Sequence, residues 1–142
     1  MFNPSRDQVR QFFCDSWRKY RQRLPLQGAE MTAAELILEH PEYHALLDNP
    51  ERALEEEFPP ERAQTNPFLH LSLHLAVAEQ LSIDQPHGIL AAYQALRSRL
   101  DVHDAEHVVV ECLGEALFNA QRRGGAIDGA AYLEALRRAA GS

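Results

Sequence analysis

Little in this sequence points to familiar chemistry, and each absence excludes something. There are only two cysteines, Cys14 and Cys112, with no CxxC pair and no zinc-ribbon spacing. A disulfide framework is therefore not expected, and both are read as free, buried thiols. No Gly-rich phosphate loop, GxGxxG, GxSxG or nucleophile–base arrangement occurs, which leaves nucleotide binding and serine hydrolysis without support. Long apolar runs are missing too: the stretch from Leu71 is broken by His74 and Glu79, so no membrane span is expected. Met1–Arg6 lacks the charged start and apolar core of a signal peptide, making the cytoplasm the expected location. Basic residues are outnumbered, 14 Lys and Arg against 21 Asp and Glu for a net charge of −7, so nucleic acid is not an expected partner.

What remains is a soluble, all-α pattern. Ala, Leu, Glu, Gln and Arg are abundant, and Gly and Pro fall mostly between periodic segments. The whole chain, 1–142, reads as a single compact helical bundle of about six to seven helices with short connections. The first helix is expected to start at Asn3-Pro4 and to turn Val9, Phe13, Trp17, Tyr20 and Leu24 inward. Its arginines and Lys19 form a charged face, either solvated or meeting the acidic segment from Glu30 to Glu61. A capping box, Thr32 with Glu35, is expected to open a second helix that ends near His40, before Pro41. A short helix then carries Pro41 to Leu47, Asn49-Pro50 begins another turn, and Glu57–Thr65 reads as loop. Asn66-Pro67 launches a helix over Phe68–Leu81, and others follow at about Ile89–Leu100, Asp104–Arg122 and Gly129–Ala139.

The histidines carry the functional signal. Six of the seven form three pairs at one spacing, His40/His44, His70/His74 and His103/His107. Random placement would give on the order of a third of one such pair, so the pattern exceeds what composition supplies. Residues four apart share a helix face, and neutral imidazole is the commonest protein metal ligand. His70 and His74 lie on a face with Leu73, Val77 and Leu81. His107 and Glu111 lie with Val110, Gly114 and Phe118, His103 stands at that helix's start, and Glu106 is a further carboxylate candidate. Pro41 interrupts helix between His40 and His44, and His44 is the better ligand candidate of the two. Glu79, nine residues from His70, is about half a turn away and is not counted. His87, in a Pro-His-Gly turn, reads as a surface residue.

Imidazoles with one or two carboxylates suit iron, zinc, copper or nickel rather than calcium or magnesium. So many donors point to two irons bridged by Glu111 or Glu106, with zinc as the alternative metal. In site chemistry the pattern is similar to hemerythrin-like bundles, whose helix order it does not share.

Three segments also carry a family resemblance. They are Glu39-His40-Pro41-Glu42-Tyr43-His44, Thr65-Asn66-Pro67-Phe68-Leu69-His70, and Ala105-Glu106-His107 together with Glu111 to Leu117. Across nearly its whole length the chain resembles a bacterial family known as domain of unknown function 1841. The resemblance implies a short proteobacterial cytoplasmic protein and supplies no activity, cofactor or catalytic residue.

Three functions compete. The first is a non-haem iron enzyme of redox or oxygen chemistry, with Tyr43 as a neighbouring relay. The second is a non-catalytic sensor or a bundle stapled by metal. The third is a metal-free adaptor, with the basic first helix as its docking surface. A protein partner is compatible with all three, as is a homodimer through Phe12, Phe13, Trp17 and Tyr20.

Overall fold

Ser5 opens the first helix, α1 (Arg6–Arg21), with a reciprocal capping box. The Gln8 N–H donates to Ser5 Oγ at 3.1 Å, and the Ser5 N–H donates to Gln8 Oε1 at 2.8 Å. The structure is a computed structural model that describes residues 5–58 and 66–141. The expected start at Asn3-Pro4 lies outside those residues, as does most of the loop expected over Glu57–Thr65. Arg10, Phe13, Cys14 and Trp17 form the buried stripe of α1 at spacings of three and four. Tyr20 and Leu24 are exposed rather than inward. The physical reason is the helix end: α1 stops at Arg21, and Arg23 turns the chain away with a φ of 59°.

The second helix, α2 (Ala29–Leu38), begins a turn earlier than the Thr32–Glu35 capping box predicts. Glu30 displaces that start. Its Oε1 accepts the Gln27 N–H at 3.1 Å and its Oε2 pairs with Lys19 Nζ at 2.6 Å, leaving Thr32 inside the helix. Pro41 ends α2 as expected, and a 3-10 turn (Pro41–Tyr43) leads into the short α3 (His44–Leu47) and α4 (Pro50–Glu55). Asn66 caps α5 (Pro67–Ile83), accepting the Phe68 N–H at 2.9 Å. Then come α6 (Ile89–Arg97), α7 (Val102–Arg123) and α8 (Gly129–Ala139). Asp101 caps α7 through the Asp104 N–H at 2.8 Å, so α7 starts before Asp104 and His103 lies inside it. Among the described residues the architecture is all-α, eight α-helices without a strand. None of these helices is long and apolar enough to cross a membrane.

The chain divides into two compact units, residues 1–75 and 76–142, with α5 running through the division. In the first, Phe13, Trp17, Ile37, Leu47, Phe68 and Leu71 form one core, with Phe12, Tyr43 and Phe58 packed against it. In the second, α6, α7 and α8 pack on one another. Ile89, Leu96, Val109, Leu113 and Leu136 are buried there, and the Tyr132 hydroxyl donates to Gln80 Oε1 at 2.8 Å. Both cysteines are free, Cys14 buried and Cys112 half-buried.

Candidate metal centre

The site begins where α2 ends. There Leu36 O and Ile37 O accept 3-10-type bonds from the Glu39 and His40 N–H groups, and each takes a second bond from a histidine ring. His40 Nδ1 lies 2.7 Å from Leu36 O, and His44 Nε2 lies 2.8 Å from Ile37 O. A carbonyl only accepts, so both ring nitrogens are the donors. The two rings are therefore fixed in opposite tautomers. His40 carries its proton on Nδ1 and its ring lone pair on Nε2, whereas His44 carries its proton on Nε2.

That difference separates their roles. His44 packs against Trp17, with ring centroids 4.2 Å apart, and belongs to the contact between α1 and α3. The ring of His44, the preferred ligand candidate of the two, is thus engaged away from the α5 pair. His40 is only 4% exposed, and its ring centroid stands 5.0 Å from His70 and 5.1 Å from His74. Pro41 breaks the helix without moving His40 out of the core, because the bond to Leu36 O holds its ring in place.

On α5 the expected pair forms. His70 is half-buried and His74 is 3% exposed. Their Nε2 atoms are 3.2 Å apart and their ring centroids 4.7 Å. Each of His40, His70 and His74 offers a ligand nitrogen, and these atoms lie within 4.8 Å of one another. Three imidazoles converge where the sequence pattern offered separate pairs. Tyr43, which follows His40 closely in the chain, lies parallel to its ring at 5.4 Å and edge-on to His70 at 6.4 Å. Burial pushes the Tyr43 phenol above its ordinary range, with the charge of Glu42 adding to the effect.

The other candidates lie on α7, in the second unit. His103 is exposed and His107 half-buried, with ring centroids 4.2 Å apart. His107 Nδ1 donates to His103 O at 2.8 Å, which leaves the His107 lone pair on Nε2, the same tautomer as His40. Glu106 is half-buried. Glu111 is exposed, and Phe118, expected on an inward face with it, is 59% exposed. The α7 face was drawn too wide: Val110 and Leu113 are buried, while Glu111 and Phe118 turn to solvent. His87 is a surface residue, its Nδ1 3.1 Å from Asp84 Oδ2.

The sequence reading missed the buried guanidinium of Arg10. It lies three and four residues before Phe13 and Cys14, so the helical stripe marked the position even though the residue type argued against burial.

No curated protein and no solved structure matches this chain. The family described as Domain of unknown function (DUF1841) matches residues 5–138, which takes in every segment that builds the histidine cluster. By that match over nearly its whole length, the chain belongs to the DUF1841 family.

Proposed function

We propose that this protein binds a transition-metal ion through His40, His70 and His74. The carrying observation is the convergence of three imidazole nitrogens within 4.8 Å of one another, on side chains of which two are almost fully buried. Two nitrogens on one tetrahedral ion at bond lengths near 2.05 Å would stand about 3.3 Å apart. The Nε2 atoms of His70 and His74 are 3.2 Å apart, so little rearrangement is needed. The hydrogen bond from His40 to Leu36 O is the outer-shell contact that orients a ligating imidazole and selects its tautomer.

Neutral nitrogen donors suit iron, zinc, copper or nickel. One ion per chain is the reading we favour over two bridged irons, because Glu111 is exposed and the donors gathered in the first unit are imidazoles. In the second unit, His107 stays a separate donor proposal, resting on its spacing from His103 and its tautomer. A bound ion with an open position would supply Lewis-acid or redox chemistry, and a closed one would staple the fold. The protein's own contribution is to present three imidazoles at the edge of an apolar core, one of them, His40, with its tautomer set by the bond to Leu36 O.

The test is elemental analysis of untagged protein purified from cells supplied with iron and zinc. About one equivalent of metal per chain, lost in a His70→Ala, His74→Ala double variant, supports the proposal. A second equivalent would restore the dinuclear version. Metal-free protein that stays metal-free on reconstitution overturns the proposal and leaves a helical interaction protein.

A further inference from the structure

Away from the histidines, the first unit holds a cavity of about 380 Å³ lined by Arg6 and Arg10 of α1, Glu57 and Phe58 after α4, and Asn66 and Phe68 at the start of α5. Its chemistry is lopsided. Phe58 and Phe68 give it apolar walls, while among the described residues the ionic groups lining it are two guanidiniums and one carboxylate, a surplus of one positive charge. Arg10 is 4% exposed, an expensive place for a cation with no carboxylate bonded to it among the described residues. Its Nη1 donates to Ala53 O at 2.8 Å and Glu56 O at 2.7 Å, closing the C-terminal end of α4. Those bonds use one of its three nitrogens. The guanidinium also lies 4.8 Å from the centre of the Phe68 ring and 5.5 Å from that of Phe58. Arg6 reaches the same rim, with Nη2 3.1 Å from Glu56 O and 3.4 Å from Glu57 Oε1.

An aromatic-walled cavity with net positive charge fits an anion that carries an apolar body. Planar guanidiniums match a carboxylate in two-point geometry, and the rings match an aromatic or alkyl group. The first turn of α5 adds the positive end of a helix dipole at Asn66 and Phe68. Cavities in this size range hold small organic ligands, with few polar groups fixing orientation. We infer that the cavity between the N-terminal turns of α1 and α5 binds a small organic carboxylate, its carboxylate on Arg6 and Arg10 and its apolar body against Phe58 and Phe68. Glu57 is then the internal competitor, holding Arg6 until a ligand carboxylate displaces it.

The test titrates the full-length protein with benzoate, following the Phe68 and Leu69 amide resonances, with benzyl alcohol as the uncharged control. Saturable benzoate binding is expected, with benzyl alcohol at least about tenfold weaker. Glu57→Gln is expected to tighten binding and Arg6→Ala to weaken it about tenfold. Both positions are on the rim, so these variants keep the fold even if an Arg10→Gln chain does not. Equal binding of benzyl alcohol, or benzoate affinity indifferent to both rim variants, overturns the inference. So does inorganic phosphate binding as tightly as benzoate, because the aromatic walls would then contribute nothing.

Discussion

Nε2 of His70 and Nε2 of His74 stand 3.2 Å apart on consecutive turns of α5, the separation that two ligands of one tetrahedral ion adopt. The same distance also suits a single N–H···N hydrogen bond, so the variants must distinguish the two. Replacing either histidine with alanine is expected to abolish stoichiometric metal binding, measured by elemental analysis after dialysis. Saturating metal at about a thousand times its Kd would stabilise the native chain by about 4 kcal/mol, and a chelator would remove that gain. A melting temperature unmoved by either metal or chelator would leave only the hydrogen bond.

His44 provides the internal control. Its Nε2–H donates to Ile37 O and its half-buried ring packs on Trp17, so it belongs to the contact between α1 and α3 rather than to the cluster. His44→Ala is expected to cost about 2 kcal/mol in a urea melt, through a lost hydrogen bond and lost packing. Metal stoichiometry should not change. Loss of metal from a still-folded His44→Ala chain would return His44 to the ligand set.

These two predictions also mark what the sequence could and could not tell. The α5 pair was legible because helical periodicity alone puts residues four apart on one face, and Asn66-Pro67 announced where the helix starts. The choice between His40 and His44 was not legible. It is made by which α2 carbonyl each ring reaches, and that depends on how the chain turns after Pro41. The exposure of Glu111 was not legible for a related reason: the spacing from His107 is helical, but which meridian of α7 meets a neighbour is decided by packing. Arg10 hid because residue type outweighed position; its place on the stripe with Phe13 and Trp17 was the better guide.

Arg10→Met tests that buried cation directly. Methionine retains much of the side-chain volume but strips the donors from Ala53 O and Glu56 O. Ala53 O then loses its Arg10 donor and Glu56 O keeps that of Arg6, which should cost about 2 kcal/mol, read as a shift in urea midpoint with an unchanged slope. A neutral or stabilised Arg10→Met chain would mean that desolvating the guanidinium costs as much as its bonds return.

Asp84 makes the acid side of the stability curve predictable. Its Oδ1 accepts the Leu90 N–H at 3.0 Å and the Gly88 N–H at 3.1 Å, joining the turn to the start of α6. The Leu90 bond, then the Gly88 bond and His87, hold this carboxyl below its usual range, with partial burial opposing them. A depressed carboxylate contributes stability that is present above its unfolded pKa and is lost as pH falls through the folded value. Asp84→Asn should therefore lower stability at neutral pH and flatten the decline below about pH 4. Urea melts at pH 7 and pH 3 give the comparison, and parallel curves for the two chains would contradict it.

Cys14 sets the alkaline side and works in the opposite sense. Burial on the α1 stripe, aided by the charge of Asp15, pushes its thiol up to about 11. The unfolded chain ionises near the thiol's ordinary value while the native chain keeps its proton, so stability present at pH 8 declines as pH rises towards 11. At pH 10 the loss from this one group is about 1 kcal/mol. Tyr43, Tyr93 and Tyr132 are raised by burial as well and add to the slope at higher pH. A Cys14→Ala chain separates the thiol's share, because its stability should fall less between pH 8 and pH 10. Thiol labelling checks the same burial independently. Half-buried Cys112, whose own thiol is raised by burial and by the charges of Glu115 and Glu111, should react slowly in the native protein. Cys14 should react only at the rate of unfolding. Labelling of Cys14 as fast as Cys112 in the native chain would show that the α1 stripe opens to solvent, and the alkaline prediction would fall with it.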